Sequence, residues 1–259
     1  MDFDDIPDFM PGSTQTVEIS EKVKGVLRIP KFVNLDGKPE CIVLIPPGNP
    51  ARHLGNAHAG HPLFVALEEA CFEADLATLR FDYHGIGMSI EGGEDPSKWE
   101  FPAGGIRMFN FDSWDAYRWA KANVCENVEV VGYSMSSGFA LEAALRQMTK
   151  FYIALSVAPL VHKWLTPDEK EQEEIRKANQ IHKTLDMVTF FAVGRKDPMS
   201  PEDEMRPWID ERPDKGAKVT FEILEDGDHS FKGCEDSVAG LTAKWIKGQL
   251  EALPANDSA

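Results

Sequence analysis

The sequence predicts an α/β protein whose mostly parallel sheet of eight strands is flanked by helices. Three observations lead there. From about residue 60 onward, strand-like and helical patterns alternate, as helical crossovers between parallel strands require. The later strand-like runs, such as VEVVGYS (128–134) and MVTFFAVG (187–194), are almost continuously apolar, the mark of strands covered on both faces. At 259 residues, with 42% hydrophobic side chains, the chain can fill one α/β domain.

The elements follow in order. QTVEIS (15–20), VKGVLRIP (23–30) and ECIVLIPPG (40–48) read as strands separated by turn-forming pieces such as NLDGK, so the first strands can form an antiparallel edge. A helical stretch near 60–74 precedes the strand LATLRFD (76–82), and a second helical stretch spans 111–123. VEVVGYS then runs straight into a helix from residue 135. YIALSVAP (152–159), a charged helix near 168–184, MVTFFAVG, a short helix after Pro201, KVTFEIL (218–224) and a last helix near 235–251 complete the chain. No internal repeat or interdomain linker is visible, so residues 14–252 are expected to form a single domain between an acidic tail (1–13) and a C-terminal tail (253–259).

Composition excludes several classes of function. A net charge of −16, with no cluster of Lys and Arg, argues against a nucleic-acid partner. No stretch approaches the roughly 18–20 apolar residues of a membrane span. The start, MDFDDIPDFMPGS, lacks the basic and apolar regions of a secretory signal. Cys41, Cys71, Cys125 and Cys234 have no CxxC or zinc-like spacing and read as small core residues, which suits a reducing, cytoplasmic setting.

In open α/β sheets, reactive groups collect at the carboxyl ends of the strands. Ser134 ends one strand, Asp197 follows another, and His229 follows the last. A serine hydroxyl needs a base to take its proton, and an imidazole serves best when a carboxylate fixes its tautomer. The three positions supply one of each. Asp226 and Asp228 lie nearer His229 in sequence and compete for the acid's role, but neither follows a strand as cleanly. Ser134 read otherwise is a helix N-cap, and Asp197 before Pro198 a turn aspartate.

The chain order Ser, Asp, His, with strand, turn and helix around the serine, resembles the α/β-hydrolase family from about residue 15 to the end. GYSMS (132–136) matches the nucleophile elbow, GRKDPMSP (194–201) the acid turn and DGDHSF (226–231) the histidine loop. The usual elbow is Gly-x-Ser-x-Gly; here Ser136 stands at the last glycine, where a small residue is needed for the helix to pack on the strand. LRFDYHGIGMSIEGG (79–93) resembles the family's strand-four exit, with Gly85 and Gly87 in a tight turn.

The resemblance implies a catalytic triad of Ser134, Asp197 and His229, with an oxyanion hole made by the N–H groups of Met135 and of Asn49 in IPPGNPARH. It implies a compact serine hydrolase, acting on a small-molecule carboxylic ester or thioester through an acyl-enzyme, with no cofactor or metal. The same triad serves amidases, peptidases and acyltransferases, and the fold alone can carry a non-catalytic binding protein. Only residues 158–185 have length to overhang the serine, so a minimal lid is expected, with Leu160, Trp164 and Leu165 facing the substrate. The aromatic-rich connection 94–111 is a second partial cover. His53, His58 and His61 share one loop without an acidic companion. They are read as lining the oxyanion side or capping the next helix rather than holding a metal.

Overall fold

In this computed structural model, residues 10–48, 61–89, 106–157, 184–214 and 216–253 are described. All eight predicted strands are present: β1 (Thr14–Glu18), β2 (Lys24–Arg28), β3 (Ile42–Ile45), β4 (Ala77–Phe81), β5 (Val128–Tyr133), β6 (Tyr152–Leu155), β7 (Thr189–Gly194) and β8 (Val219–Leu224). They follow the order β1-β2-β4-β3-β5-β6-β7-β8. The described helices are α1 (Pro62–Glu73), α2 (Ile106–Asn123), α3 (Ser137–Leu145), α4 (Glu202–Asp210) and α5 (Glu235–Glu251). The charged helix expected near 168–184 lies outside the described residues, apart from Thr184.

The described residues group into two compact units. One comprises 10–45, 61–89, 106–128 and 235–253, the other 46–48, 129–157, 184–214 and 216–234.

In the first unit β1 and β2 pair antiparallel, β2 pairs antiparallel with β4, and β3 runs parallel to β4. β1 and β2 thus form the expected antiparallel edge. Every residue of β3 and β4 is buried, whereas β1 has only Val17 buried, so apolar continuity marks the inner strands and alternation the edge. Helix α1 packs against α5, bringing Leu63, Leu67 and Cys71 into a core shared with Val238, Ala243 and Ile246. The charged groups that enter this core are paired, whereas the buried Thr78 hydroxyl on β4 has no hydrogen-bond partner among the described residues. Buried Arg80 bonds buried Glu68, and Arg28 reaches Glu69 at 2.6 Å while its guanidinium lies 3.8 Å above the Phe72 ring.

One boundary differs from expectation. Helix α2 starts at Ile106, not 111, so the last residues of the presumed 94–111 connection are helical. Buried Phe109, Ser113, Ala116, Tyr117 and Ala120 recur at helical spacing, and the Ser113 hydroxyl bonds the Phe109 carbonyl at 2.9 Å. The aromatic run is therefore in part the buried face of a helix.

In the second unit β5 to β8 are all parallel, with Tyr133 opposite Leu155 and Leu155 opposite Ala192. The first three are wholly buried, and β8 is half-exposed, as an edge strand is. Helix α3 packs on β6. Buried Glu129, at the start of β5, accepts the N–H groups of Lys150 and Phe151 at 3.0 and 3.3 Å and so secures the turn into β6.

The four cysteines are free; Cys41, Cys71 and Cys125 are buried, in line with their reading as core residues, whereas Cys234 is half-buried and is not one. Among the described residues no helix is long and apolar enough to cross a membrane, and no group of three His, Cys, Asp or Glu is arranged to hold a metal ion.

Candidate active site

The turn that carries Ser134 begins where β5 meets α3. Gly132 is required there: a Cβ on it would lie 2.5 Å from the Ser137 Cα and 2.8 Å from the Ser136 carbonyl oxygen. The close strand-to-helix approach forces Ser134 into the left-handed region, at φ 51°. A non-glycine residue held there stores on the order of 1–3 kcal/mol, which the surrounding structure must over-determine. Ser134 to Ser136 form a single 3-10 turn leading into α3, and the Ser137 hydroxyl bonds the Ser134 carbonyl. Ser134 makes no N-cap; it stands at the corner itself.

The acid turn and the histidine loop are fastened to one another by backbone. A Cβ on Gly194 would lie 2.3 Å from the Gly227 carbonyl oxygen. That proximity lets the N–H of Lys196 reach Gly227 and that of Arg195 reach Leu224, at 2.9 and 2.8 Å. Side chains repeat the bridge outside: Lys196 pairs with Asp226 at 2.9 Å, and Arg195 with Glu225 at 2.8 Å and with Glu202.

Between these segments the three predicted residues meet. His229 Nε2 lies 2.9 Å from Ser134 Oγ, and His229 Nδ1 lies 2.8 Å from Asp197 Oδ2. Asp197 is buried, and its other oxygen accepts the Met199 N–H at 2.8 Å. It is thus a turn aspartate and the histidine's partner at once, one oxygen to each. Burial alone would raise its pKa, but the hydrogen bond and charge of His229, with the Met199 N–H, outweigh that and hold it below the ordinary carboxylate value. The rival acids have other tasks. Asp226 pairs with Lys196, and Asp228 accepts the N–H groups of Ser230 and Lys232, shaping the loop that carries His229.

The Tyr133 ring packs against His229, with centroids 5.7 Å apart, and against Gly48, where a Cβ would come within 2.8 Å of it. Tyr133 was not singled out from sequence, since one aromatic ending a buried strand carries no distinguishing signal. Ser156, the first residue after β6 as Ser134 is the first after β5, shares its left-handed backbone at φ 45° and is fully buried.

Of the other expected residues, Met135 lies directly after Ser134, buried, in the 3-10 turn. Asn49, Leu160, Trp164 and Leu165 fall outside the described residues, as do His53 and His58. His61 precedes α1 and its carbonyl accepts the Phe64 N–H, but its side chain makes no capping hydrogen bond; the ring leans on Phe64 at 4.8 Å. The expected capping role is therefore not filled by the His61 imidazole, whose pKa burial lowers. At the strand-four exit Gly85 and Gly87 both have positive φ, 75° and 54°, as the turn was expected to need. A Cβ on Gly87 would collide with the Asp82 carboxylate, which accepts the Met88 N–H at 3.0 Å.

The sheet order, the left-handed serine at a strand-to-helix corner, and Asp197 and His229 in the loops after β7 and β8 together decide the architecture. The fold is that of the α/β hydrolases. No family model matches the sequence, and no curated protein matches it. Solved structures share the hydrolase fold at low identity. A serine hydrolase without lid from Xanthomonas campestris is 14% identical, with 94% of this chain and 97% of that one aligned at a TM-score of 0.65. A serine hydrolase homologue from Coxiella burnetii is 14% identical, covering 92% and 99% of the two chains at 0.64. The esterase domain of a Rhodothermus marinus protein is also 14% identical, covering 91% and 98% at 0.62.

Proposed function

We propose that this protein is a serine hydrolase that cleaves a carboxylic ester or thioester of a small molecule through an acyl-enzyme. The observation that carries the reading is the continuous relay from Ser134 Oγ to His229 Nε2, and from His229 Nδ1 to Asp197 Oδ2, at 2.9 and 2.8 Å. Both distances are within reach for proton transfer.

In this mechanism Ser134 Oγ attacks the substrate carbonyl carbon while its proton passes to His229 Nε2. Asp197 accepts a hydrogen bond from Nδ1–H, which keeps the proton on Nδ1 and fixes the tautomer needed for Nε2 to act as base, and its charge stabilises the imidazolium. The tetrahedral oxyanion is held by the N–H of Met135, beside the N-terminus of α3, and by that of Asn49; one such donor changes turnover by roughly 10²–10³. The imidazolium then protonates the leaving alcohol or thiol, and the acyl-enzyme remains. A water, deprotonated by the same imidazole, attacks the acyl carbon and releases the acid with Ser134 restored. Leu160, Trp164 and Leu165 are assigned to the acyl pocket. The naming of an esterase domain and of serine hydrolases among proteins of this fold supports the class of reaction.

The test is labelling with a fluorophosphonate, followed by a panel of p-nitrophenyl esters and thioesters of graded acyl length. Wild-type protein should label stoichiometrically and turn over at least one member, and Ser134→Ala should lose both while keeping its circular dichroism spectrum. Turnover surviving in Ser134→Ala would dispose of the reading.

A further inference from the structure

We propose that Ser136, where this fold's usual elbow has glycine, is a positioning residue that locks the nucleophile turn to the exit of β3; the proposal rests on the serine-hydrolase reading above. Its buried hydroxyl accepts the Tyr133 N–H at 2.9 Å and has the Tyr133 and Pro46 carbonyl oxygens at 3.0 and 3.2 Å for its one proton. A single side-chain atom therefore bridges the residue before the nucleophile and the first residue after β3.

The neighbouring sequence explains why such a bridge is needed. Pro46 and Pro47 offer no N–H, so these two residues can be anchored by backbone only through their carbonyls. Gly48 then presses on the Tyr133 ring, and the same ring packs on His229. The hydroxyl, the Tyr133 ring and Gly48 thus fix three things relative to one another: the strained turn bearing Ser134, the start of the segment after β3, and the face of the imidazole. A glycine or alanine at 136 leaves the Tyr133 N–H, buried in a packed strand end, without this acceptor, and leaves the Pro46 carbonyl without this donor. The attacked carbonyl must settle between the nucleophile turn and the segment leaving β3. Slack between them therefore weakens binding of the tetrahedral state more than binding of the planar ester.

The experiment compares wild type with Ser136→Ala, Ser136→Gly and Ser136→Thr, counting active sites by phosphonate titration so that kcat refers to folded, labelled protein only. Ser136→Ala and Ser136→Gly should lose about tenfold in kcat per labelled site, the scale on which one neutral hydrogen bond is felt, with KM changed less than about twofold. Affinity for an alkyl boronic acid, which mimics the tetrahedral adduct, should fall by the same factor as kcat, and Ser136→Thr, which keeps a hydroxyl, should recover most of both. A purely structural serine would lower the melting temperature and the titrated fraction but leave kcat per site and boronate affinity at wild-type values, and that result overturns the proposal. So does full activity in the glycine variant. If the wild type itself takes up no phosphonate, the hydrolase reading falls first and this one with it; labelled wild type with indifferent variants defeats this one alone.

Discussion

In the proposed mechanism Asp197 serves both the fold and the chemistry. One oxygen accepts the Met199 N–H and closes the turn, and the other faces His229. Asp197→Asn keeps the turn acceptor but puts an amide opposite Nδ1, which stabilises the wrong tautomer; turnover should drop by several orders of magnitude, on the order of 10⁴. Asp226→Asn and Asp228→Asn, whose carboxylates answer to Lys196 and to backbone N–H groups, should cost far less in a kcat measurement. Because the Asp197 carboxyl is held below its ordinary pKa when folded, its ionised form favours the folded state. Its share of stability is present above the unfolded value and is lost as pH falls through the lower, folded one. Urea unfolding should show wild type and Asp197→Asn converging in that acidic window. Glu129 has the opposite sign. Burial pushes its pKa up to about 8, against the N–H groups of Lys150 and Phe151. Its contribution is greatest below the unfolded carboxyl value of 4.5 and is lost as pH rises toward 8. Between about pH 5 and 8 the stability of wild type should therefore fall more steeply than that of Glu129→Gln; parallel urea midpoints across that range would contradict it.

At the scale of elements, the site is a meeting of strand ends, and glycines set how closely they meet. Gly194 and Gly227 let the acid turn lie directly on the histidine loop, so Gly194→Ala, whose Cβ would come 2.3 Å from the Gly227 oxygen, must pry the two apart. Overpacking of this kind costs on the order of 1–3 kcal/mol. It should lower the melting temperature and also kcat per titrated site, whereas Gly240→Ala, in α5 with open space around it, should do neither. Much of this was legible in the sequence. Ser134 comes directly after the apolar run of β5, which announces that strand's carboxyl end, while Asp197 and His229 lie a few residues beyond β7 and β8 and were singled out by the chain order Ser, Asp, His and the resemblance it carries. The bridging hydroxyl of Ser136 was not legible, because its partner Pro46 is 90 residues away and sequence alone shows only that the side chain is small. The start of α2 was missed for a related reason: Phe109 and its neighbours follow a Gly-Gly pair, and local composition there resembles a loop until burial reveals the helical spacing.

Across the whole molecule, eight strands could be counted from sequence but not ordered. β4 pairs with β2 on one side and β3 on the other, a choice made by contacts between distant segments and invisible to periodicity. Charge is the one global property readable in advance, and it bears on what the proposed hydrolase can accept. A net −16 surrounds any approaching ester with a repulsive field if that ester is anionic. The field reaches roughly 30 Å at 0.01 M salt and about 8 Å at 0.15 M. For a polyanionic substrate such as a nucleotide-bearing thioester, kcat/KM should rise several-fold between those salt concentrations, because screening removes a penalty on encounter while the chemistry at Ser134 is unchanged. For a neutral ester with the same acyl group it should stay level. The comparison is made on one enzyme preparation with the two substrates side by side, and kcat at saturation serves as the control. A kcat/KM for the anionic thioester that instead falls with salt would mean that a local basic surface captures it. That would mark the natural substrate as anionic despite the overall charge, and the encounter penalty argued from net charge would have to be given up.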